Sequence, residues 1–281
     1  MVFPTQPSDS DLYGNHFFSV YPALVGLCLW LARCHNAEAM SHDLTDHANV
    51  KSLVFDVFGT VVDWRNSVIF ELSDFFAERG FEADWPDFVD QWKACYRPGM
   101  DEVVRGDRPW RSVHDIYRET LERLLVDFGA PTLDEKETEF VTDAWYRLDP
   151  WPDALPGLTR LKSKYTLSTL SNADFAGMVA MSKRAGLPWD CVITADVVQA
   201  YKPDPKAYLT GIRLLGGDPA AVMLVAAHNY DLAEAQSHGM RTAFIPRTNE
   251  YGPAQTTDLK PMGDWDLVAE DLEDLAAKLG C

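Results

Sequence analysis

Leu53-Val54-Phe55-Asp56-Val57-Phe58-Gly59-Thr60 is an apolar run that ends in a carboxylate, with Gly59 and Thr60 forming the turn behind it. A short apolar run closed by a turn reads as a buried strand. Open α/β sheets bind their ligands at the carboxyl ends of such strands, so Asp56 stands where a ligand would arrive.

Beyond this run the pattern alternates. β-rich stretches at 165–170, 191–195, 222–226 and 242–245 are separated by helical stretches at 175–185, 205–215 and 232–238. Gly186 and Gly239 fall where helices end, and Asp204-Pro205 supplies a cap followed by proline at the first helical position. Such alternation predicts an α/β fold, a parallel sheet with helices on both faces. Between the first strand and residue 165 the alternation stops. Residues 67–80, 85–96, 112–128 and 135–148 all read as amphipathic helices, an insertion that would form a helical cap over the carboxyl edge of the sheet.

The chain has 281 residues, 47% of them hydrophobic, enough for a large core with a smaller second domain. Its net charge is −18 with no basic run, which argues against nucleic acid or an anionic membrane as partner. Five scattered cysteines, Cys28, Cys34, Cys95, Cys191 and Cys281, form no metal-binding spacing and read as reduced thiols of a cytoplasmic protein. Residues 1–49 read as an N-terminal extension. The apolar run 17–32 and Ala37-Glu38-Ala39 resemble a secretory signal, but residues 1–15 hold no Lys or Arg. An over-long start, with Met40 before a polar lead-in, is the favoured reading.

Four points recur at strand-to-helix junctions. They are Asp56, Ser171-Asn172 after 167–170, Lys202 in Tyr201-Lys202-Pro203-Asp204, and Asp231 in Ala226-Ala227-His228-Asn229-Tyr230-Asp231. A parallel sheet would gather all four at one edge. Singly, the last three have bland readings as helix caps or a solvated lysine; together, in this order, they form a set.

That set resembles the four motifs of the haloacid dehalogenase superfamily, in its L-2-haloacid dehalogenase branch, over roughly residues 51–279. The resemblance implies a Rossmann-like core of residues 50–65 and 151–281, with a cap of 66–150. It implies a nucleophilic Asp56 that displaces halide from a short 2-haloalkanoate such as a haloacetate or L-2-halopropionate, leaving an ester that water then hydrolyses. Lys202 would keep Asp56 ionised, and Asp231 would orient or deprotonate the water. Thr60, Ser171, Asn172 and the backbone N–H groups after Asp56, beginning with Val57, would hold carboxylates, with Asn172 also near the halide. Tyr208 would join the polar network or simply pack. No cofactor is implied. The partners would be the haloacid and water, in a chain that forms a homodimer in many relatives.

The same resemblance marks departures. Phosphatases of the superfamily keep a second Asp where this chain has Phe58, and magnesium-binding acids near the position of Ala226 and Ala227. Magnesium needs oxygen ligands, so phosphoryl transfer looks badly equipped here. A phosphatase, a phosphonatase or a non-catalytic relative are the rival readings. Lys93, or Arg97 one turn later, stands for the arginine of the branch's halide cradle, and lysine lacks its fixed fork. His228 replaces an asparagine. As a hydrogen-bond donor aimed at the leaving group it would favour fluoride; the alternative is a helix cap or packing on Tyr230. Phe58, Trp64, Trp92, Trp110, Trp151 and Tyr230 are candidates for an apolar wall, with Phe58 and Tyr230 expected to face the cavity.

Overall fold

The computed structural model describes residues 47–281. The extension, its signal-like run and the Met40 start lie outside the described residues, as do Cys28 and Cys34. Residues Asn49–Cys281 form one compact unit.

Its centre is a six-stranded parallel sheet in the order β5-β4-β1-β6-β7-β8. The strands are β1 Ser52–Phe55, β4 Thr166–Ser171, β5 Cys191–Thr194, β6 Val222–Ala226, β7 Arg241–Phe244 and β8 Leu267–Val268. β1 lies between β4 and β6, with Phe55 opposite Thr169 on one side and Val225 on the other. This is the doubly wound order, and the direction of chain progression reverses between β1 and β6. The ends of those two strands therefore flank the crevice where such sheets bind ligands.

Alternation along the strands builds two cores. Leu53, Phe55, Met223 and Val225 face one side, where they join Leu158, Leu161, Leu272 and Leu275. Val54, Val222, Leu224 and Ala226 face the other, against Ala207, Ile212, Leu232 and Ala235. The strands are apolar on both faces because helices cover both, as in parallel sheets generally.

The inserted helices run between two short strands, β2 Val62–Asp63 and β3 Asp149–Pro150, which pair antiparallel. They are α1 Trp64–Ala77, α2 Trp85–Ala94, α3 Tyr96–Val104, α4 Val113–Asp127 and α5 Glu135–Thr142. The sequence states the starts of four of these five helices clearly, all but α3. Asp63, Asp84, Ser112 and Asp134 each accept a backbone N–H of the first turn through the side chain.

Several boundaries differ from expectation. The helix expected at 85–96 is followed at once by a second helix, α3, because Pro98 falls in its first turn, where proline's missing N–H is no loss. The stretch 135–148 tightens after Thr142 into a 3-10 turn, Asp143–Tyr146. The helix expected at 232–238 begins at Asn229, so Asp231 lies within its first turn. The sheet has a sixth strand, β8, two residues long and too short to show a period. Among the described residues no helix is long and apolar enough to cross a membrane.

Candidate active site

Asp56 directly continues β1, and its N–H still joins the ladder by donating to Val225 O at 3.1 Å. Gly59 makes the turn behind it at φ 85°, a left-handed conformation that favours glycine. A Cβ there would also lie 2.1 Å from Oε1 of Glu250. The turn brings Thr60 back to donate from Oγ1 to Asp56 Oδ2 at 3.0 Å, while the same oxygen accepts Ala227 N–H at 2.8 Å.

Lys202, 3% exposed, reaches Asp56 from the loop after β5, its Nζ donating to Oδ1 at 3.0 Å. The same Nζ pairs with Asp231 Oδ2. Asn172, at the end of β4, fixes the backbone of Lys202 from both sides: its Oδ1 accepts Lys202 N–H at 2.7 Å and its Nδ2 donates to Lys202 O at 3.0 Å. Tyr208 O–H donates to Asp231 Oδ1 at 2.6 Å. Both oxygens of Asp231 are thus engaged.

On the opposite side of Asp56 stands His228, just after β6. Its Nδ1 lies 2.9 Å from Asp56 Oδ2, and its Nε2 lies 3.0 Å from Oε2 of the buried Glu250. Trp64 Nε1 donates to Glu250 Oε1 at 2.9 Å. Burial alone would raise the Asp56 pKa, but the charges of Lys202 and His228, with the hydrogen bonds they donate, hold the carboxyl well below the usual carboxylate range. Burial opposes charge on Lys202 and His228 too. In each case the neighbouring carboxylates prevail and raise the pKa.

Beside Asp56 lies a cavity of about 250 Å³, below the roughly 300–1,000 Å³ of sites for drug-sized ligands. Asp56, Ser171, Asn172, Lys202 and His228 line it from the strand ends and the loops that follow them, and Phe58, Lys93, Tyr96, Arg97, Tyr230, Glu250 and Tyr251 complete the lining. Lys93, half-buried, adds a cation from the inserted helices. Its Nζ lies 4.3 Å from the Tyr96 ring centroid and 5.1 Å from that of Trp64, a cation–π cage. Burial pushes its pKa down to about 8, against the upward pull of Glu250 and Asp56. Arg97 lines the same cavity but is paired with Asp101 at 2.9 Å and more exposed.

The chain belongs to the haloacid dehalogenase-like hydrolases. That family's sequence profile matches residues 50–239. An (S)-2-haloacid dehalogenase of Pseudomonas sp. (strain YL) is 30% identical over 225 residues, spanning 78% of this chain and 91% of the relative. Two solved structures have a TM-score of 0.80. One, an L-2-haloacid dehalogenase, is 46% identical over 82% of this chain and 98% of its own. The other, a defluorinating L-2-haloacid dehalogenase, is 44% identical over 83% and 96%.

Within this haloacid dehalogenase-like site the expected residues divide into two groups. Asp56, Phe58, Lys93, Ser171, Asn172, Lys202, His228 and Tyr230 border the cavity. Val57, Thr60, Tyr208 and Asp231 do not; they are fully buried, and of the four Thr60 and Asp231 bond directly to cavity-lining groups, Asp56 and Lys202. Val57 offers its carbonyl to Val61 and Val62 N–H. Tyr208 is both packed and hydrogen-bonded, to Asp231 rather than to anything in the cavity.

The expected apolar wall is mostly elsewhere. Trp64 and Trp92 lie in the core of the inserted helices, Trp110 stacks on Tyr201 at 4.7 Å, and Trp151 donates to Gly59 O at 2.8 Å. Nor does His228 aim a donor at a leaving group, because both ring nitrogens face carboxylates. Its ring packs on Tyr230 at 5.7 Å, and its side chain caps no helix N–H. Glu250, Tyr251 and Tyr96 are site residues that the sequence reading did not reach.

Proposed function

We propose that this chain hydrolyses the carbon–halogen bond of short 2-haloalkanoates, haloacetates and L-2-halopropionates, to 2-hydroxy acids through an ester on Asp56. The observation that carries the reading is Asp56 itself. It is a carboxylate held ionised beside a small cavity, with the cation of Lys93 in the same lining and no second acid at Phe58.

A carboxylate is a modest nucleophile, so position must do most of the work. Oδ1, which receives one donor, attacks carbon 2 with inversion as the halide leaves with the bonding pair. Lys93 supplies positive charge on the side of the inserted helices, and Ser171 with the remaining donors steadies the substrate carboxylate. Water then adds to the Asp56 Cγ, and Lys202 and Asp231 manage its proton as a pair. Asp231 also holds Lys202 in place from behind, with Tyr208 fixing Asp231.

Magnesium does not fit this donor set. Asp56 is flanked by two cationic side chains, and Ala226 and Ala227, both buried, offer no side-chain oxygen where the phosphatase acids would stand. The reading is tested by following halide release from chloroacetate, fluoroacetate and each enantiomer of 2-chloropropionate, with EDTA and with magnesium. Release that survives chelation and favours the L enantiomer is expected. Release abolished by EDTA and restored by magnesium would return the chain to the phosphatase class.

A further inference from the structure

A buried imidazole set between two carboxylates has no part in the chemistry described so far. Neutral imidazole carries one N–H, so with Nδ1 2.9 Å from Asp56 Oδ2 and Nε2 3.0 Å from Glu250 Oε2, one ring nitrogen would aim a lone pair at a carboxylate oxygen. Only imidazolium donates in both directions. The titratable groups facing the ring are Asp56 at the end of β1, Glu250 and Tyr251 from the segment after β7, and Tyr230 from its own helix; Lys93 of α2 faces the same two carboxylates. Glu250 is itself fixed, by the Trp64 indole N–H and by its seat against Gly59, where a Cβ would collide.

Asp56 Oδ2 therefore receives two donors, His228 Nδ1–H and Thr60 Oγ1–H. Thr60 is held in the donating sense because its oxygen already accepts Ala227 N–H. Oδ1 receives one donor, from Lys202, and is the oxygen better able to attack carbon. Oδ2 is then the carbonyl oxygen of the resulting ester. Donors placed in advance where charge develops are the usual means of stabilising a tetrahedral intermediate.

Resting on the aspartyl-ester reading above, we propose that Thr60 and His228 form the oxyanion hole for hydrolysis of that ester, and that Glu250 is the positioning residue that keeps the imidazole donating on both sides. As the water oxygen bonds to Cγ, the Cγ–Oδ2 π pair moves onto Oδ2 and one water proton passes to the Lys202–Asp231 pair. Collapse re-forms the double bond and breaks Cγ–Oδ1. That proton returns to Oδ1, which leaves as the hydroxyl of the product. The remaining proton of the new carboxyl is lost to solvent, and His228 keeps both of its protons throughout. Fluoroacetate and chloroacetate give the same ester, so the contribution of His228 to this step is independent of the halogen.

Rapid mixing of the full chain with chloroacetate, reading halide, glycolate and intact protein mass, separates the two half-reactions. His228→Ala and Glu250→Ala, which remove the donor and its anchor, are expected to release about one equivalent of halide per site. They should then turn over on the order of 100-fold more slowly, the scale for loss of one oxyanion donor, with the ester accumulating on the protein. Thr60→Val should do the same, and Glu250→Asp should recover part of the loss. With fluoroacetate the hydrolytic rate constant of each variant should equal that with chloroacetate.

The halide burst counts folded sites, so misfolding is read separately. Halide and glycolate slowing together with no ester, or hydrolysis unchanged in all the variants, would overturn the oxyanion hole. Absence of both halide release and ester from the wild type would instead overturn the functional reading on which it rests.

Discussion

The Nζ of Lys202 lies 3.0 Å from Oδ1 of Asp56, and the residues are 146 positions apart in the chain. The same Nζ pairs with Asp231, so one buried ammonium is shared by two buried carboxylates. Lys202→Met would leave both without that partner. Breaking a buried pair by removing one member costs roughly 3–5 kcal/mol. The variant is expected to lose about that much stability in urea unfolding and to lose turnover by more than tenfold. An equally stable Lys202→Met protein would mean that the carboxylates have protonated or found water.

Lys93 gives the site a pH limit on the alkaline side. With its pKa pushed down to about 8 by burial, it is a cation below that pH and neutral above it. The rate of halide release at low substrate is therefore expected to fall as pH rises past about 8. Lys93→Arg should hold its rate to higher pH, because guanidinium stays protonated, though with different halide geometry. Identical alkaline limbs for the two proteins would assign the fall to another group.

The compact unit begins at Asn49, and Lys51 already hydrogen-bonds on both sides, to Ala221 O and from Thr166 N–H. A chain started at Met40 is expected to be soluble and to match the full-length protein in kcat and melting temperature. A drop of several degrees in melting temperature would make the first residues part of the fold.

Much of this arrangement was legible because it is written in local strings. Asp56, Asn172, Lys202 and His228 each follow a strand or precede a helix, and parallel topology carries such junctions to one edge. The missed residues obey no such rule. Glu250 and Tyr251 lie in the irregular segment after β7, and Glu250 meets Trp64 across 186 positions through a path that no periodicity encodes. Tyr96 opens α3, at the position where the sequence pattern puts the end of the helix expected over 85–96. His228 was visible as an oddity, but its meaning depends on Glu250. The tryptophans misled for a simpler reason. Large aromatic side chains dominate cores, and position along the chain does not say whether Trp64 faces a cavity or the packing behind it.

The most direct measurement follows the oxygen that enters the product. Asp56→Asn, nearly isosteric but unable to attack, is expected to release no halide while keeping the wild-type fold by circular dichroism. In a single turnover of excess wild-type protein with L-2-chloropropionate in heavy-oxygen water, the product takes its new oxygen from Asp56. It should therefore be unlabelled, and peptide mass analysis should find the heavy oxygen in the Asp56 carboxylate. Heavy oxygen in the first-turnover lactate, with Asp56 unlabelled, would mean that water attacks carbon 2 directly and would contradict the covalent mechanism.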